Sequence, residues 1–368
     1  MPLMNTSLDS AIEALTTWKV VVPLPEPLRV WGRTIASREF VFVRATAGGH
    51  TGTGFALTRN MPIGVVVEQQ IKPQVVGRPA TAIRAIWQGV RDGARMTGDT
   101  GILARALSVV DIALWDLLGQ LLNTPLWRVW GGAQQQVPCA AICGYYKLED
   151  SVGSIRREAE RLVEAGYQRF KVPFGEDHDL DVQRIRALRE VVGREAMIGI
   201  DASGVFNNLK DALKAWQSIE RFNVDFLEDP FAASQWELAL QLAERGPMKV
   251  AFGESMTSPQ GMQALSALDV LRPDATVLHG ITGFLQGIAP ALERRASLFP
   301  HYYPDLHAPL VGALGLMMVE ESPAEAETVG FGVLRATQPK IQGGIWHLTE
   351  RPGLGIDWDE DALRHYAA

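Results

Sequence analysis

Met197-Ile-Gly-Ile-Asp201, Asp225-Phe-Leu-Glu228 and Val250-Ala-Phe-Gly-Glu254 are three short apolar runs, each closed by a carboxylate. Leu271-Arg-Pro-Asp274 and Leu298-Phe-Pro-His301 continue the series with ionisable ends. The end residues are separated by 27, 26, 20 and 27 positions, the length of one strand, one helix and two short loops. In a barrel of parallel strands, successive strand ends sit side by side on one rim, about 4.8 Å apart, so these side chains converge on one pocket. Three crowded carboxylates repel one another, and a divalent cation removes that repulsion. Hard oxygen ligands without thiolate or paired histidine select Mg²⁺ over zinc. Any one of Asp201, Glu228 and Glu254 has a plainer explanation, as a cap on the following helix or a solvated group. Three in consecutive units favour the metal.

Outward from this stretch, strand-like and helical segments alternate from residue 132 to about residue 320, with helical patterns at 154–164, 180–192, 209–220, 235–244 and 284–295. So many strand-helix units in succession specify a parallel sheet and favour its closure into a barrel. Before the barrel, residues 18–58 alternate as strands, notably Glu39-Phe-Val-Phe-Val-Arg-Ala45, with turns at Gly48-Gly49 and Gly52-Thr-Gly54, and predict an antiparallel meander. The period then changes to that of helices, and Ser108-Val-Val-Asp-Ile-Ala-Leu-Trp-Asp-Leu-Leu118 lies in a long buried one. Asp111 and Asp116 interrupt its apolar surface and are expected to hydrogen-bond from helix to barrel. Lys340-Ile-Gln-Gly-Gly-Ile-Trp-His-Leu-Thr349 reads as a hairpin expected to rejoin the N-terminal module. The chain therefore divides into an α+β segment at 1–130, a barrel at 131–325 and a C-terminal segment at 326–368 that returns to the first.

The 368 residues, 47% hydrophobic and 21% charged, are ordinary globular material and exceed a single core. A net charge of −7 without a long Lys/Arg cluster argues against a nucleic-acid surface. The N-terminus lacks the charged-then-apolar order of a secretory signal, and no apolar run approaches the about 18 residues of a membrane span. Cys139 and Cys143, the only cysteines, share one apolar strand in which a bridge is geometrically poor, so both are read as buried thiols. A cytoplasmic location follows.

Lys171 ends a further strand-like run, Tyr167-Gln-Arg-Phe-Lys171, one unit before Asp201. It is either a solvated rim residue or, beside a cation that depresses its pKa, a proton-transfer group. Asp274 and His301 end consecutive units on the far side of the ring. A carboxylate on an imidazole fixes its tautomer and raises its basicity, as a proton-abstracting histidine requires, whereas the plainer reading is a satisfied histidine at a helix start.

Several segments together carry a specific resemblance: Arg105-Ala-Leu-Ser-Val-Val-Asp-Ile-Ala-Leu-Trp-Asp116, Asp201-Ala-Ser-Gly204, Phe226-Leu-Glu-Asp-Pro230, Phe252-Gly-Glu254, Arg272-Pro-Asp274 with Gly280-Ile-Thr-Gly283, Pro300-His301 and Arg351-Pro-Gly-Leu-Gly355. In this order, over nearly the whole chain, they resemble the enolase superfamily and within it the mandelate racemase subgroup. The resemblance implies an α/β fold: a modified TIM barrel, (β/α)7β, under an α+β capping domain formed by both termini. It also implies Mg²⁺ held by Asp201, Glu228 and Glu254, with a His301–Asp274 dyad opposite Lys171. The implied chemistry is removal of a proton alpha to a carboxylate, with the developing charge neutralised by the metal.

Where many members of the subgroup carry Lys-x-Lys, this chain reads Lys171-Val-Pro173, and proline cannot transfer a proton. The Lys-x-Pro pattern resembles that of acid-sugar dehydratases such as the rhamnonate dehydratases. It implies that His301 removes the C2 proton of a 2,3-dihydroxy acid and protonates the departing C3 hydroxyl, giving a 2-keto-3-deoxy acid, while Lys171 assists at the carboxylate. The alternatives are a racemase or epimerase of a 2-hydroxy acid, and a catalytically silent barrel that binds metal or carboxylate. Ser203 stands where the family often has Asn, with a shorter hydrogen-bonding reach. His279 and His307 are read as specificity or structural residues.

Specificity is expected from capping loops. Pro25-Glu-Pro-Leu-Arg-Val-Trp-Gly-Arg33 and residues 52–60 are the candidate lids, with Arg33 or Arg59 for a distal carboxylate and Trp31 and Phe55 to exclude water. Tyr145 and Tyr146, after the first barrel strand, are further candidates to face the pocket. The expected partner is a small carboxylate, an aldonate or aldarate, with neither nucleic acid nor membrane. The family resemblance implies a homo-oligomer, dimer or octamer.

Overall fold

A computed structural model describes residues 8, 10–30, 33–147, 150–323 and 329–368. Its first layer is an antiparallel meander, β1 (Ala14–Val30), β2 (Arg33–Ala47) and β3 (His50–Leu57), paired in that order. One face packs on the helix Ile102–Leu121, which is buried on nearly every side. Gly54 permits the approach: a Cβ there would lie 2.0 Å from the Val109 carbonyl oxygen of that helix.

The barrel strands are β4 (Gln136–Ile142), β5 (Arg169–Pro173), β6 (Met197–Asp201), β7 (Phe226–Glu228), β8 (Val250–Phe252), β9 (Val270–Leu271), β10 (Ser297–Leu298) and β11 (Val319–Glu321). Each of the first seven is followed by a helix, and β4 to β10 pair in parallel with their sequence neighbours. The ring closes where β11 pairs with β4, Val319 opposite Cys139, and where Met317 N–H donates to the Leu298 carbonyl at 2.9 Å. The fold is thus a modified (β/α)7β barrel with an α+β cap built from the N-terminal segment and the C-terminal tail.

Strand alternation sorts the barrel residues. Ile198, Ile200, Leu227, Val250, Phe252, Leu271 and Leu298 face the helices and join the large core between sheet and helices. Ala140, Phe226, Ala251, Val270, Phe299 and Met318 point inward as a separate apolar layer. Gly199 makes room there, since a Cβ would meet the Phe226 ring at 2.2 Å. Side chains two residues further along a strand point to the same side, one layer closer to the rim. That step carries Gly199 to Asp201, Phe226 to Glu228, Val270 to Arg272, Phe299 to His301 and Met318 to Glu320, so an apolar floor underlies a charged layer.

The C-terminal tail departs from expectation in one respect. The hairpin of β12 (Lys340–Gln342) and β13 (Ile345–His347) does not rejoin the N-terminal meander. Its second strand adds antiparallel to the start of β4, with Trp346 opposite Val137. The chain after the hairpin reaches the cap: Trp358 packs edge-on against Phe42 and Phe55, and Val21 N–H donates to the Tyr366 carbonyl at 2.9 Å. Both cysteines are buried and free, and burial pushes their thiols well up, as structural thiols require. No helix among the described residues is long and apolar enough to cross a membrane.

Asp111 accepts hydrogen bonds from the backbone N–H (2.9 Å) and hydroxyl (2.6 Å) of Thr282 in the barrel helix Gly280–Glu293. Asp116, against expectation, bonds within the cap and tail, accepting from Thr53 N–H and Leu354 N–H at 2.8 Å each. An asparagine at 116 must turn its amide NH₂ toward one of two N–H donors. At 111 it faces a hydroxyl that can accept. Asp116→Asn is therefore expected to lower stability by about 1–3 kcal/mol and Asp111→Asn by less, read as shifts in the urea midpoint at pH 8. Burial pushes Asp111 up to about 7 and Asp116 to about 6. The folded state thus holds these protons more tightly than the unfolded chain, and their contribution to stability is lost as pH rises from the ordinary carboxylate range through those values. Asp111→Asn should flatten that fall.

Candidate active site at the barrel rim

The charged layer is a network of buried ion pairs. Lys171 Nζ lies 2.9 Å from Glu320 Oε2, 3.2 Å from Glu228 Oε1 and 3.4 Å from Asp201 Oδ2. Arg272 donates through Nε to Glu228 Oε1 at 2.8 Å and pairs through Nη2 with Glu320 Oε2 at 2.7 Å. The guanidinium lies over the Phe299 ring and donates to the Phe299 carbonyl at 2.7 Å, which fixes its plane. Burial alone would raise the Glu320 carboxyl, but Arg272 and Lys171 hold it well below the usual range. Burial likewise works against the Lys171 ammonium, and the carboxylates of Glu228 and Glu320 outweigh it, so Lys171 is held well above its ordinary pKa.

Asp201, Glu228 and Glu254 each offer one carboxylate oxygen, and the three oxygens lie within 4.8 Å of one another. They fit a cation on three counts. Glu228 Oε2 is buried and has no hydrogen-bond partner. Burial pushes Asp201 and Glu228 up, and neighbouring carboxylates add to the shift against the pull of Lys171 and Arg272. The two cations face Asp201, Glu228 and Glu320, so negative charge is in excess before Glu254 is counted. All-oxygen donors favour a hard divalent ion. Gly253, at φ 131°, lets the chain leave β8 in a conformation that brings Glu254 to the triad three residues beyond inward-facing Ala251.

Across the rim, His301 Nδ1 lies 3.0 Å from Asp274 Oδ2, and Nε2 lies 3.2 Å from Glu254 Oε2. Burial would lower the imidazole, yet Glu254 and Asp274 together raise it. Asp274 is itself anchored, its Oδ1 accepting from the backbone N–H and hydroxyl of Thr276 at 2.7 Å each. His307 packs behind the dyad: its Nε2 accepts from Ala275 N–H at 3.1 Å, so its Nδ1 is the donor to the Tyr302 carbonyl at 2.6 Å. His279 is buried away from the pocket, with Nε2 at 2.5 Å from the Asp99 carbonyl and its ring edge-on to Trp87.

Two adjoining cavities open above these groups. The first, about 260 Å³, is lined by Lys171, Asp201 and Tyr145, with Arg33, Arg38 and Ile35 from the cap. The second, about 240 Å³, is lined by Asp274, Thr276, Arg105 and Tyr303. Leu57, Arg59, Ser203, Glu254 and His301 line both. Lys171, Asp201, Glu254, Asp274 and His301, together with Arg33, Arg59, Tyr145 and Ser203, are therefore brought to one place, with Glu228 beneath them. Phe55 is not a lid: it is fully buried against Phe42, Tyr303, Phe331 and Trp358. Tyr146 turns away, its hydroxyl donating to Asp181 at 2.6 Å under the Arg184 guanidinium. Trp31 lies outside the described residues.

Arg272, Glu320, Arg38 and Arg105 escaped the reading of run ends. Arg272 and Glu320 were findable from the two-residue step above Val270 and Met318. If the triad holds a divalent cation, millimolar Mg²⁺ added to chelator-treated protein should raise its melting temperature, by the equivalent of about 2.7 kcal/mol at one hundred times Kd. Glu254→Gln, which removes a triad carboxylate outside the Lys171–Arg272 network, should abolish that rise while leaving the metal-free melting temperature close to wild type. An undiminished Mg²⁺ response in this variant would exclude the triad as the ion's site.

Comparison with known proteins agrees with this architecture. Residues 154–362 match the family described as Enolase C-terminal domain-like, and residues 12–131 match Mandelate racemase / muconate lactonizing enzyme, N-terminal domain. Arabinonate dehydratase of Saccharolobus solfataricus is 26% identical over 331 residues, 87% of this chain and 88% of that protein. The 3,6-anhydro-alpha-L-galactonate cycloisomerase of Streptomyces coelicolor is 27% identical over 355 residues, 94% of this chain and 96% of that protein. A racemase from Streptomyces coelicolor, solved with bound magnesium, superposes with a TM-score of 0.89 at 26% identity, covering 97% of this chain and all of that one (100%). With both of its parts matched by the two domains of one family, the chain belongs to the mandelate racemase / muconate lactonizing enzyme family of the enolase superfamily.

Proposed function

We propose that the protein is a Mg²⁺-dependent acid-sugar dehydratase, converting a 2,3-dihydroxy carboxylic acid to a 2-keto-3-deoxy acid with loss of water. The observation that carries this reading is the asymmetry of basic groups around the first cavity. Its lining holds one imidazole, His301, and one ammonium, Lys171. Lys171 is engaged by three carboxylates, and Pro173 occupies the position two residues on where a second lysine would stand. Racemisation needs a proton carried on each of two faces. Elimination of water needs one group that takes a proton from C2 and delivers it to the oxygen leaving C3.

Asp201, Glu228 and Glu254 would hold the ion, and Mg²⁺ is favoured by their oxygen donors and by the magnesium bound in the structurally similar racemase. When bound, it supplies Lewis-acid stabilisation of the charge that develops on the substrate carboxylate. Lys171 adds a fixed positive charge at the same end. Asp274 accepts the Nδ1 proton of His301 and so presents Nε2 to the substrate. Nε2 takes the C2 proton while the electron pair delocalises into the carboxylate, then delivers that proton to the C3 hydroxyl as the C3–O bond breaks and the C2–C3 double bond forms. The enol so formed tautomerises to the keto acid. The dehydratase among the relatives supports this reaction class.

Purified protein with Mg²⁺ and a library of aldonates and aldarates should release 2-keto acid from at least one stereochemical series. His301→Asn should lower that rate by about 10²–10⁴-fold without loss of melting temperature. Deuterium exchange at C2 in D₂O without keto-acid release would favour epimerisation and set the dehydratase reading aside.

A further inference from the structure

The proposed chemistry occupies the first cavity and the neck it shares with the second. The second cavity contains none of the acid-handling groups apart from those at the neck and the Asp274–Thr276 support. What it does contain is two guanidinium groups. Arg59 comes from the turn after β3, held at φ 52°, and Arg105 from the first turn of the capping helix Ile102–Leu121. No hydrogen bond or ion pair with a described residue occupies either of them. Lys171 in the first cavity is, by contrast, engaged by three carboxylates.

We propose that Arg59 and Arg105 form the binding site for a second anionic group at the far end of the substrate, so that the enzyme acts on aldaric diacids in preference to aldonic acids. The proposal rests on the dehydratase reading and narrows its substrate class. Three observations converge on it. Arg105 is half-buried and shares its cavity with another positive charge, an arrangement that an anion between them relieves. Burial and Arg59 both work against the Arg105 charge, opposed by Asp274 and Glu254. The cavity also has the right place in the site. His301 and Glu254 line both cavities, so an acid with one carboxylate beside Lys171, Asp201 and Glu254 and its C2 at His301 has the cavity of Arg59 and Arg105 next to it.

The charge of the ligand follows from the same walls. A guanidinium presents a planar fork that matches a carboxylate bidentately. Glu254 and Asp274 line the same cavity, so a doubly charged phosphate would meet more repulsion there than a singly charged carboxylate. A neutral primary alcohol, the far end of an aldonate, would leave both guanidinium groups without a directly bonded anion.

The test pairs each aldaric acid with the aldonic acid of the same C2–C5 configuration. Wild-type protein is expected to prefer the diacid, by about 10- to 100-fold in kcat/KM, the range of one or two charge-assisted hydrogen bonds. Arg105→Met and Arg59→Met should each collapse that ratio toward one, chiefly through KM. Arg105→Lys, which keeps the charge and loses the fork, should fall between. Protection against thermal unfolding by the same pairs, with Mg²⁺ present, gives a readout independent of turnover. If aldonates are dehydrated as well as diacids, or the diacid preference survives both methionine variants, the inference fails and the dehydratase reading stands. If no acid is dehydrated but diacids still protect wild type and not Arg105→Met, the anion site stands and the dehydratase reading fails.

Discussion

The site depends on keeping several carboxylates together in a space too dry to solvate them. Removing a charge from water costs several kcal/mol per ion even after relaxation, as an order of magnitude, and is offset only when each charge finds a well-placed partner. Here the offset is shared. Lys171 and Arg272 each bridge Glu228 and Glu320, and Lys171 also reaches Asp201. Both bridging contacts to Glu228 fall on Oε1, leaving Oε2 without a partner. The network thus does more than neutralise Glu228: it decides which of its oxygens remains for a ligand. Arg272 is fixed in turn by the Phe299 ring and carbonyl, so the position of a metal-facing atom traces back to the apolar floor of the barrel.

That floor explains what could be read from the amino-acid order and what could not. Asp201, Glu228 and Glu254 were legible because each follows apolar residues directly, and the strand-helix spacing places such ends on one rim. Arg272 and Glu320 do not end apolar runs; each stands two steps above an inward-facing residue, Val270 and Met318. Arg105 was hidden differently. It sits in a helix whose pattern is explained by burial, and only the capping of the barrel turns it toward the pocket. The hairpin of β12 and β13 was recognisable from local turn chemistry, but a strand's outer partner is a tertiary choice, here the start of β4. Phe55 was misplaced for a related reason: alternation says that one face of β3 is buried, not whether the other end of the molecule covers it with Trp358.

Several residues at the rim adopt left-handed backbone conformations that side chains disfavour: Ser203 at φ 44°, Asp229 at 38°, Tyr302 at 54° and Tyr303 at 42°. Such strain persists only where surrounding contacts over-determine it. Around Tyr302 those contacts can be named. Its N–H donates to Glu320 Oε1 at 2.8 Å, its carbonyl accepts from His307, and its ring stacks on His301. Tyr303 then receives Leu57 N–H of the cap on its hydroxyl at 2.9 Å. The backbone turn that follows His301 is thereby tied to the ionic layer on one side and to the cap on the other. This holds the imidazole between Asp274 and Glu254, with little freedom to rotate.

A division of labour follows from where the groups are rooted. The triad, Lys171 and the His301–Asp274 dyad stand on barrel strands or their immediate ends, above a close-packed floor. A small displacement of any of them would unpair its neighbours. Arg33, Arg38, Arg59 and Arg105 stand on the cap, and none of them takes part in the buried ion-pair network. Substitution of a cap residue alters the cavity wall and leaves the charged layer paired, whereas substitution in that layer leaves a buried charge without its partner. Relatives at about the same sequence distance with different named reactions, a dehydratase and a cycloisomerase, are what such an arrangement permits. In the proposed reading, the chemistry is constrained by electrostatics inside the barrel, and the choice of acid by groups outside it.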